Sequence, residues 1–304
     1  MKSILVLNCG SSSIKFTVFS HRDFQLIVRG LIEGVGTGKS NAKILANGFE
    51  IEKKFEKISY YQGLEFINQW LIDNQELIGE IVAIGHRVVH GGIYYSEAQK
   101  ITDAVKGRIK ELFSLAPLHN PVNLKGIEFF EKQYVGQQVA VFDTAFHQTM
   151  PEHSYLYPIE QKYYQQNKIR RYGFHGTSHQ YVCQTMAKLL GKPLEKCSMI
   201  TLHLGNGCSA CAINKGISVD TSMGFTPLEG LMMGTRSGSL DISILGYLCS
   251  QKNMTYQEVI ETFNSKSGLL GVSGISHDMR ELESLIDIEQ RAKLAIFFFT
   301  HRDA

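Results

Sequence analysis

The chain has 304 residues, 43% hydrophobic and 20% charged, a balance that excludes a disordered or membrane-embedded protein and leaves room for two folded domains. Its 31 basic and 29 acidic residues give a formal charge of +2. That argues against a nucleic-acid or anionic-membrane partner but leaves small anions open, since they need only local charge. No apolar run approaches a membrane span, and the four apolar residues from Ile4 to Leu7 after Lys2 are too few for a signal core. The expected location is therefore cytoplasmic. The six cysteines, Cys9, Cys183, Cys197, Cys208, Cys211 and Cys249, show no disulfide or zinc-finger rhythm. Cys208 and Cys211 stand three apart in a predicted strand, so they point to opposite faces and are expected to be structural.

Residues 4–9 are an apolar strand, Gly10-Ser11-Ser12-Ser13 a turn, and Ile14, Phe16 and Val18 alternate with polar positions, which predicts a β-hairpin. Alone, its turn reads as an ordinary serine-rich one. With Asn8 and Lys15 beside it, the same turn offers open N–H groups and a cation, as a phosphate cradle requires. A second copy, residues 200–213, places Leu202, Leu204, Gly207 and Ser209 in register with Leu5, Leu7, Gly10 and Ser12. An internal duplication follows, with a nucleotide gripped between two related halves.

The sheet is expected to continue through residues 24–28. Glu33-Gly34-Val35-Gly36-Thr37-Gly38-Lys39-Ser40 imitates a P-loop, but its first glycine is one residue too close and a hairpin follows instead of a helix. Leu64, Ile67, Trp70 and Leu71 predict an amphipathic helix over 60–77. Residues 81–89 form a buried strand ending in an Arg/His/Gly cluster, which puts Arg87 where ligands collect in open α/β sheets. Asn120 is expected to cap a helix whose first residue is Pro121. Residues 139–142 form a buried strand ending at Asp143, whose carboxylate reads equally as a turn cap or as a group orienting a magnesium shell or nucleophile.

His175 and His179 have the spacing of a zinc pair, but no glutamate follows His175. Gly176 and the caps Thr177 and Ser178 put a helix start between them. A histidine just ahead of a helix start can instead donate to a transferring phosphoryl group. Residues 225–238 are glycine-punctuated and apolar with one cation, Arg236. Helices are expected over 242–251 and 256–265, and a last one capped by Ser276.

Asn8 with Gly10-Ser11-Ser12-Ser13 and Lys15, and Gly173-Phe174-His175-Gly176-Thr177-Ser178-His179, resemble the two signatures of the acetate kinase family. Segments 86–92, 142–147, 203–207 and 234–238 match it too, and the resemblance runs from Met1 to Ile296. It implies an α/β fold of duplicated acetate and sugar kinase/Hsp70/actin-type (ribonuclease H-like) domains. Residues 1–150 would be the N-terminal acetate kinase domain, residues 151–304 the nucleotide-binding one, and the assembly a homodimer.

The implied reaction is reversible phosphoryl transfer from ATP to acetate, giving ADP and acetyl phosphate, with Mg2+ or with Mn2+ in its place. The resemblance makes Asp143, His175 and Arg236 catalytic: Asp143 orients the nucleophile or its metal, and the other two stabilise the equatorial oxygens. Arg87 joins Arg236 in holding carboxylate and phosphoryl group. Val89, Leu118, Phe174 and Pro227 correspond to the small pocket for the acetate methyl, into which carboxylates larger than propionate are expected to fit badly. Asn8 reaches the metal shell, and Lys15 with Ser11 and Ser12 a nucleotide phosphate. His203, Leu204, Gly205, Asn206 and Gly207, with Asp278, Met279 and Arg280, correspond to further nucleotide contacts.

Duplication also predicts, in the second domain, counterparts of the strands at 81–89 and 139–142. After Ser276 the pattern gives one helix only, and the family's glycine-rich adenosine loop and distal metal-binding glutamate find no match. The second domain is therefore expected to be incomplete. Besides acetate kinase, two readings stay open, a truncated inactive remnant and a propionate kinase. A chaperone or cytoskeletal relative is disfavoured, because Arg87, His175 and Arg236 are anion-holding groups that such proteins do not need.

Overall fold

Alternating apolar residues at the start of the chain produce β1 (Lys2–Cys9) and β2 (Ser13–Ser20), antiparallel, with Asn8 opposite Lys15 and Cys9 opposite Ile14. The computed structural model describes residues 1–303 and divides into two compact units, Met1–Ala145 and one from Phe146 onward. In the first, β3 (Leu26–Glu33), β4 (Ser40–Ala46) and β5 (Phe49–Phe55) extend the hairpin as an antiparallel meander. The strand begins at Leu26, not at residue 24, because Phe24 takes the left-handed conformation (φ 57°) of the preceding turn. The segment that imitates a P-loop is the β3–β4 connection, with no helix after it.

Ser59 caps α1 (Tyr60–Asp73) in a capping box with Gln62. The single helix expected over 60–77 is broken at Asn74, whose side-chain amide donates to the Trp70 carbonyl at 2.8 Å, and α2 (Gln75–Ile78) follows. The chain then enters β6 (Glu80–Val88), passes β7 (Gln99–Lys100), α3 (Asp103–Glu111) and α4 (Asn120–Gln133), and returns as β8 (Gln137–Phe142). The eight-stranded sheet has the order β5-β4-β3-β2-β1-β6-β8-β7, with β1, β6 and β8 parallel. Leu5, Leu7, Ile14, Phe16 and Ile32 of its covered face pack with Leu64, Ile67 and Leu71 of α1. The cap of α4 is His119. Asn120 is fully buried and spends its amide elsewhere, accepting from the His90 N–H and donating to the His90 carbonyl, both at 3.0 Å.

In the second unit, α5 (Glu152–Tyr155) and α6 (Lys162–Asn167) precede α7 (Gly176–Leu189). Helix α7 does start between the two histidines, but Thr177 and Ser178 lie inside it and His175 occupies the cap position. Strands β9 (Met199–Leu204), β10 (Cys208–Asn214) and β11 (Ile217–Thr221) form a three-stranded antiparallel sheet. Its order repeats the β1–β2–β3 meander, yet not residue for residue. The closing pairs are Cys9 with Ile14 and Leu204 with Cys208, so the equivalence is displaced from the sequence match. Consistently, Leu5 and Leu7 are buried whereas Leu202 and Leu204 are exposed. Among the described residues this sheet has no counterpart of β6 or β8.

The remainder is helical: α8 (Ser243–Gln251), α9 (Tyr256–Ser265), α10 (Gly268–Ser273), α11 (Met279–Ser284) and α12 (Gln290–Asp303). Two helices thus follow Ser276, not one. The cap of α11 is Asp278, which accepts from the Arg280 N–H at 2.9 Å, while Ser276 accepts from the Asp278 N–H one turn earlier. Met232, Leu269, Leu282, Ala292, Ala295 and Ile296 make this core. No helix among the described residues is long and apolar enough to cross a membrane.

Candidate active site

The first unit gathers Asn8, Arg87 and Asp143 at the carboxyl ends of β1, β6 and β8. Because strand residues alternate, Leu7 and its partner His86 face inward, and Asn8 and Arg87 share the other face. Asp143 is 2% exposed. Its Oδ1 and Oδ2 lie 2.9 and 3.2 Å from Arg87 Nε, and Oδ2 accepts from Nη2 at 2.6 Å. Arg87 Nη1 donates to Asn8 Oδ1 at 3.2 Å. Asp143 is therefore an ion-pair partner, not a turn cap. Its charge pushes the Arg87 pKa up, and each terminal guanidinium nitrogen keeps a second N–H for another anion. Lys15 stands directly across from Asn8 in the hairpin register and is exposed.

Ser11 and Ser12 are exposed in a turn closed by Gly10 N–H to Ser13 O at 2.8 Å and fastened by Val35 N–H to Ser12 O at 2.9 Å. Val89 is buried and its N–H donates to Asn123 Oδ1 at 3.0 Å, whereas Leu118 is 69% exposed. On the inner face, His86 bonds Gln138 Oε1 through Nε2 at 2.7 Å, and burial lowers its pKa to about 4.

The second unit builds its own cluster. His175 adopts φ 57° ahead of α7, and its ring lies against Gly207 of the β9–β10 turn. Its Nδ1 bonds Ser209 Oγ at 2.9 Å, and its ring stacks on His203 with centroids 4.0 Å apart. His203 Nδ1 bonds Ser178 Oγ at 2.8 Å. Arg236 Nη1 donates to the Pro227 carbonyl at 3.3 Å, and burial lowers the Arg236 pKa. Gly207 is the point where these groups meet: a Cβ built on it would lie 3.2 Å from His175 Nε2 and 3.5 Å from Arg236 Nη1. A glycine thus keeps open a small volume faced by an imidazole and a guanidinium, the chemistry of an oxyanion site. Phe174 is buried beside it in the chain, its carbonyl 3.0 Å from His147 Nε2.

Six residues expected at a nucleotide come together in the same unit. Leu204, Gly205, Asn206, Asp278, Met279 and Arg280 line one cavity of about 510 Å3, within the range of small-molecule pockets. Asp278 and Arg280 are themselves an ion pair at 2.7 Å, which holds the Asp278 carboxyl down at about 2. Sequence reasoning missed the cavity's Leu269 and Phe299, which come from helices α10 and α12 and carry no local signal, and His277, which lies next to Asp278 in the bend before α11. It also missed Thr201 and Ser178 around the histidines. Polar residues inside otherwise apolar strands were the available cue for Thr201.

Among the described residues no group of three or more His, Cys, Asp or Glu could hold a metal ion, and none of the six cysteines is in a disulfide. Cys208 and Cys211 are both fully buried, and burial raises the Cys211 thiol to about 11. The oxygens of Asn8 and Asp143, gathered around one guanidinium, suit a magnesium ion that arrives with nucleotide phosphates and keeps its own waters, rather than a preformed cage.

The model of the Acetokinase family matches residues 3–304. An acetate kinase of Thermoanaerobacterium thermosaccharolyticum is 48% identical over 98% of this chain and 76% of its own length. A solved propionate kinase from Francisella tularensis subsp. tularensis superposes with a TM-score of 0.94 at 45% identity, covering 99% of this chain and 78% of that one. The acetate kinase of Porphyromonas gingivalis does so at 0.91 and 42% identity, covering 99% and 77%. With anion-holding clusters in both units and matches of this extent, the chain belongs to the acetokinase family.

Proposed function

We propose that this chain is an acetate kinase, catalysing reversible, magnesium-dependent phosphoryl transfer from ATP to acetate. The observation that carries the reading is the convergence of His175 Nε2 and Arg236 Nη1 on the space above Gly207, within a chain of the acetokinase family. An acetate oxygen attacks the γ-phosphorus as the bond to the ADP oxygen breaks. Charge spreads over the three equatorial oxygens, and fixed donors there do most of the catalytic work.

In this reading His175 and Arg236 meet those oxygens. Arg87 binds the carboxylate or the phosphoryl group through the N–H groups that Asp143 and Asn8 leave unspent, and Asp143 holds the guanidinium in place. Asn8 and Asp143 are the residues that would hold magnesium. When bound, that ion neutralises nucleotide phosphate charge and lowers the cost of charge development on their oxygens. Lys15, Ser11 and Ser12 serve a phosphate, and the cavity lined by Leu204, Gly205, Asn206, Asp278, Met279 and Arg280 takes the nucleoside, aided by His203 and Gly207.

By correspondence with the family, Val89, Leu118, Phe174 and Pro227 are the residues that select the acyl group, with acetate preferred and propionate the largest good substrate. Residues 1–150 then act as the N-terminal acetate kinase domain and residues 151–304 as the nucleotide-binding one, in a cytoplasmic homodimer. Six cysteines outside any disulfide suit a reducing compartment. The test is ATP formation from acetyl phosphate and MgADP by the purified chain beside Arg236→Ala. Turnover that the substitution abolishes supports the reading. A folded chain without turnover would leave the inactive-remnant reading standing, and a preference for propionyl phosphate would favour a propionate kinase.

A further inference from the structure

His175 is linked through two buried residues to a third. Its Nδ1 bonds Ser209 Oγ at 2.9 Å, Ser209 Oγ also bonds His179 Nε2 at 2.9 Å, and His179 Nδ1 bonds Thr201 Oγ1 at 2.8 Å. Ser209, His179 and Thr201 are 0, 1 and 4% exposed. Each hydroxyl has one proton to give, so the direction of the chain can be worked out from its end. The Thr201 hydroxyl has this one bond. If it accepted from His179, its own O–H would be buried with nowhere to donate, a costlier defect than an unfilled lone pair. Thr201 therefore donates to His179 Nδ1. His179, neutral with its proton on Nε2, donates to Ser209, and Ser209, already accepting, must donate to His175 Nδ1.

We infer that Thr201, His179 and Ser209 are positioning residues that fix His175 as the tautomer protonated on Nε2, so that an N–H, not a lone pair, faces the space shared with Arg236 and Gly207. The consequence is that His175 need not be an imidazolium to stabilise a phosphoryl oxygen. In the opposite direction, a neutral His175 would aim a lone pair at an anion and repel it. Burial with His147 and His203 nearby lowers the His179 pKa to about 3, in keeping with a neutral relay. His147 in turn bonds Ser218 Oγ at 2.9 Å, outside this chain of bonds.

The inference rests on the phosphoryl-transfer reading for its purpose but not for its test. Two-bond nitrogen–proton correlations of the histidine rings in the purified 304-residue chain, without substrate, report which nitrogen of His175 carries the proton. The expected pattern at neutral pH is Nε2 protonated and Nδ1 a hydrogen-bonded acceptor, with the Nδ1 resonance shifting in Ser209→Ala. A His175 protonated on Nδ1, or an Nδ1 resonance that Ser209→Ala leaves unmoved, overturns it. Turnover supplies the second arm. Ser209→Ala should lower kcat about tenfold, the worth of one hydrogen bond, with KM nearly unchanged. His179→Gln, whose amide can donate to Ser209 and accept from Thr201, should retain activity that His179→Leu loses. Equal loss in both His179 variants, with both folded, would also overturn the relay. If the wild type shows no turnover, the phosphoryl-transfer reading fails while the tautomer result still decides the relay.

Discussion

Gly207→Ala is the sharpest perturbation that the geometry offers. The new methyl would sit 3.1 Å from His175 Cε1, 3.2 Å from its Nε2 and 3.5 Å from Arg236 Nη1. A phosphoryl oxygen accepting from both nitrogens needs about 2.7–2.9 Å to each, so methyl and oxygen compete for one volume. Gly207 is not in the left-handed region, so alanine suits its backbone and gains about 0.4–1 kcal/mol from a less flexible unfolded chain. That gain offsets the small displacement of the His175 ring. Thermal stability should therefore hold within a few degrees. Displacing the transferring group by about 1 Å should cost about 10²-fold in kcat. Coupled-enzyme kinetics beside a melting curve read both quantities. Wild-type kcat in a folded Gly207→Ala protein would refute the placement of the phosphoryl group between His175 and Arg236.

Asp143→Asn leaves the Arg87 guanidinium, with its side chain 37% exposed, beside a neutral amide. Urea unfolding should show a loss of about 2–3 kcal/mol, less than for a fully buried pair, and turnover should fall about 10²-fold or more. Gly30→Ala drives a methyl into the ring of Phe16, its register partner in β2, and should cost about 1–3 kcal/mol by overpacking without altering KM. Acid should destabilise the protein partly through His86. Its pKa, lowered from 6.5 to about 4 by burial, means the unfolded chain binds the proton first. The stabilisation is complete above pH 6.5, declines as pH falls, and is lost below about 4. It totals about 3 kcal/mol at 1.36 per pH unit. A His86→Asn protein should show a shallower decline over that interval, and an unchanged slope would contradict the assignment.

Much of this was legible in the chain because it depends on local order. Both hairpins, the loop that imitates a P-loop, and the buried strand before Asp143 follow from alternation and turn composition. What was not legible depends on partners far away in sequence. Asn120 before a proline has the composition of a cap, but its amide is claimed by His90 thirty residues earlier. Leu202 and Leu204 alternate as Leu5 and Leu7 do, yet whether a sheet face is covered is a tertiary fact that period-two patterning does not carry. His179 was weighed as half of a metal pair from its spacing to His175. Its partners are instead Thr201 and Ser209 on two later strands, and only the folded sheet brings those hydroxyls to its ring. The cavity wall from Leu269 and Phe299 escaped for the same reason.

The claim at the centre of the account is that the Asp143 cluster and the His175 cluster act on one carboxylate phosphorylation. The most direct measurement incubates the purified chain with MgATP and acetate and traps acetyl phosphate with hydroxylamine. Acetohydroxamate that requires acetate, and that Asp143→Asn and His175→Ala each suppress, is the predicted result. ATP consumption without acetate, or acetohydroxamate formed equally well by either variant, would contradict it.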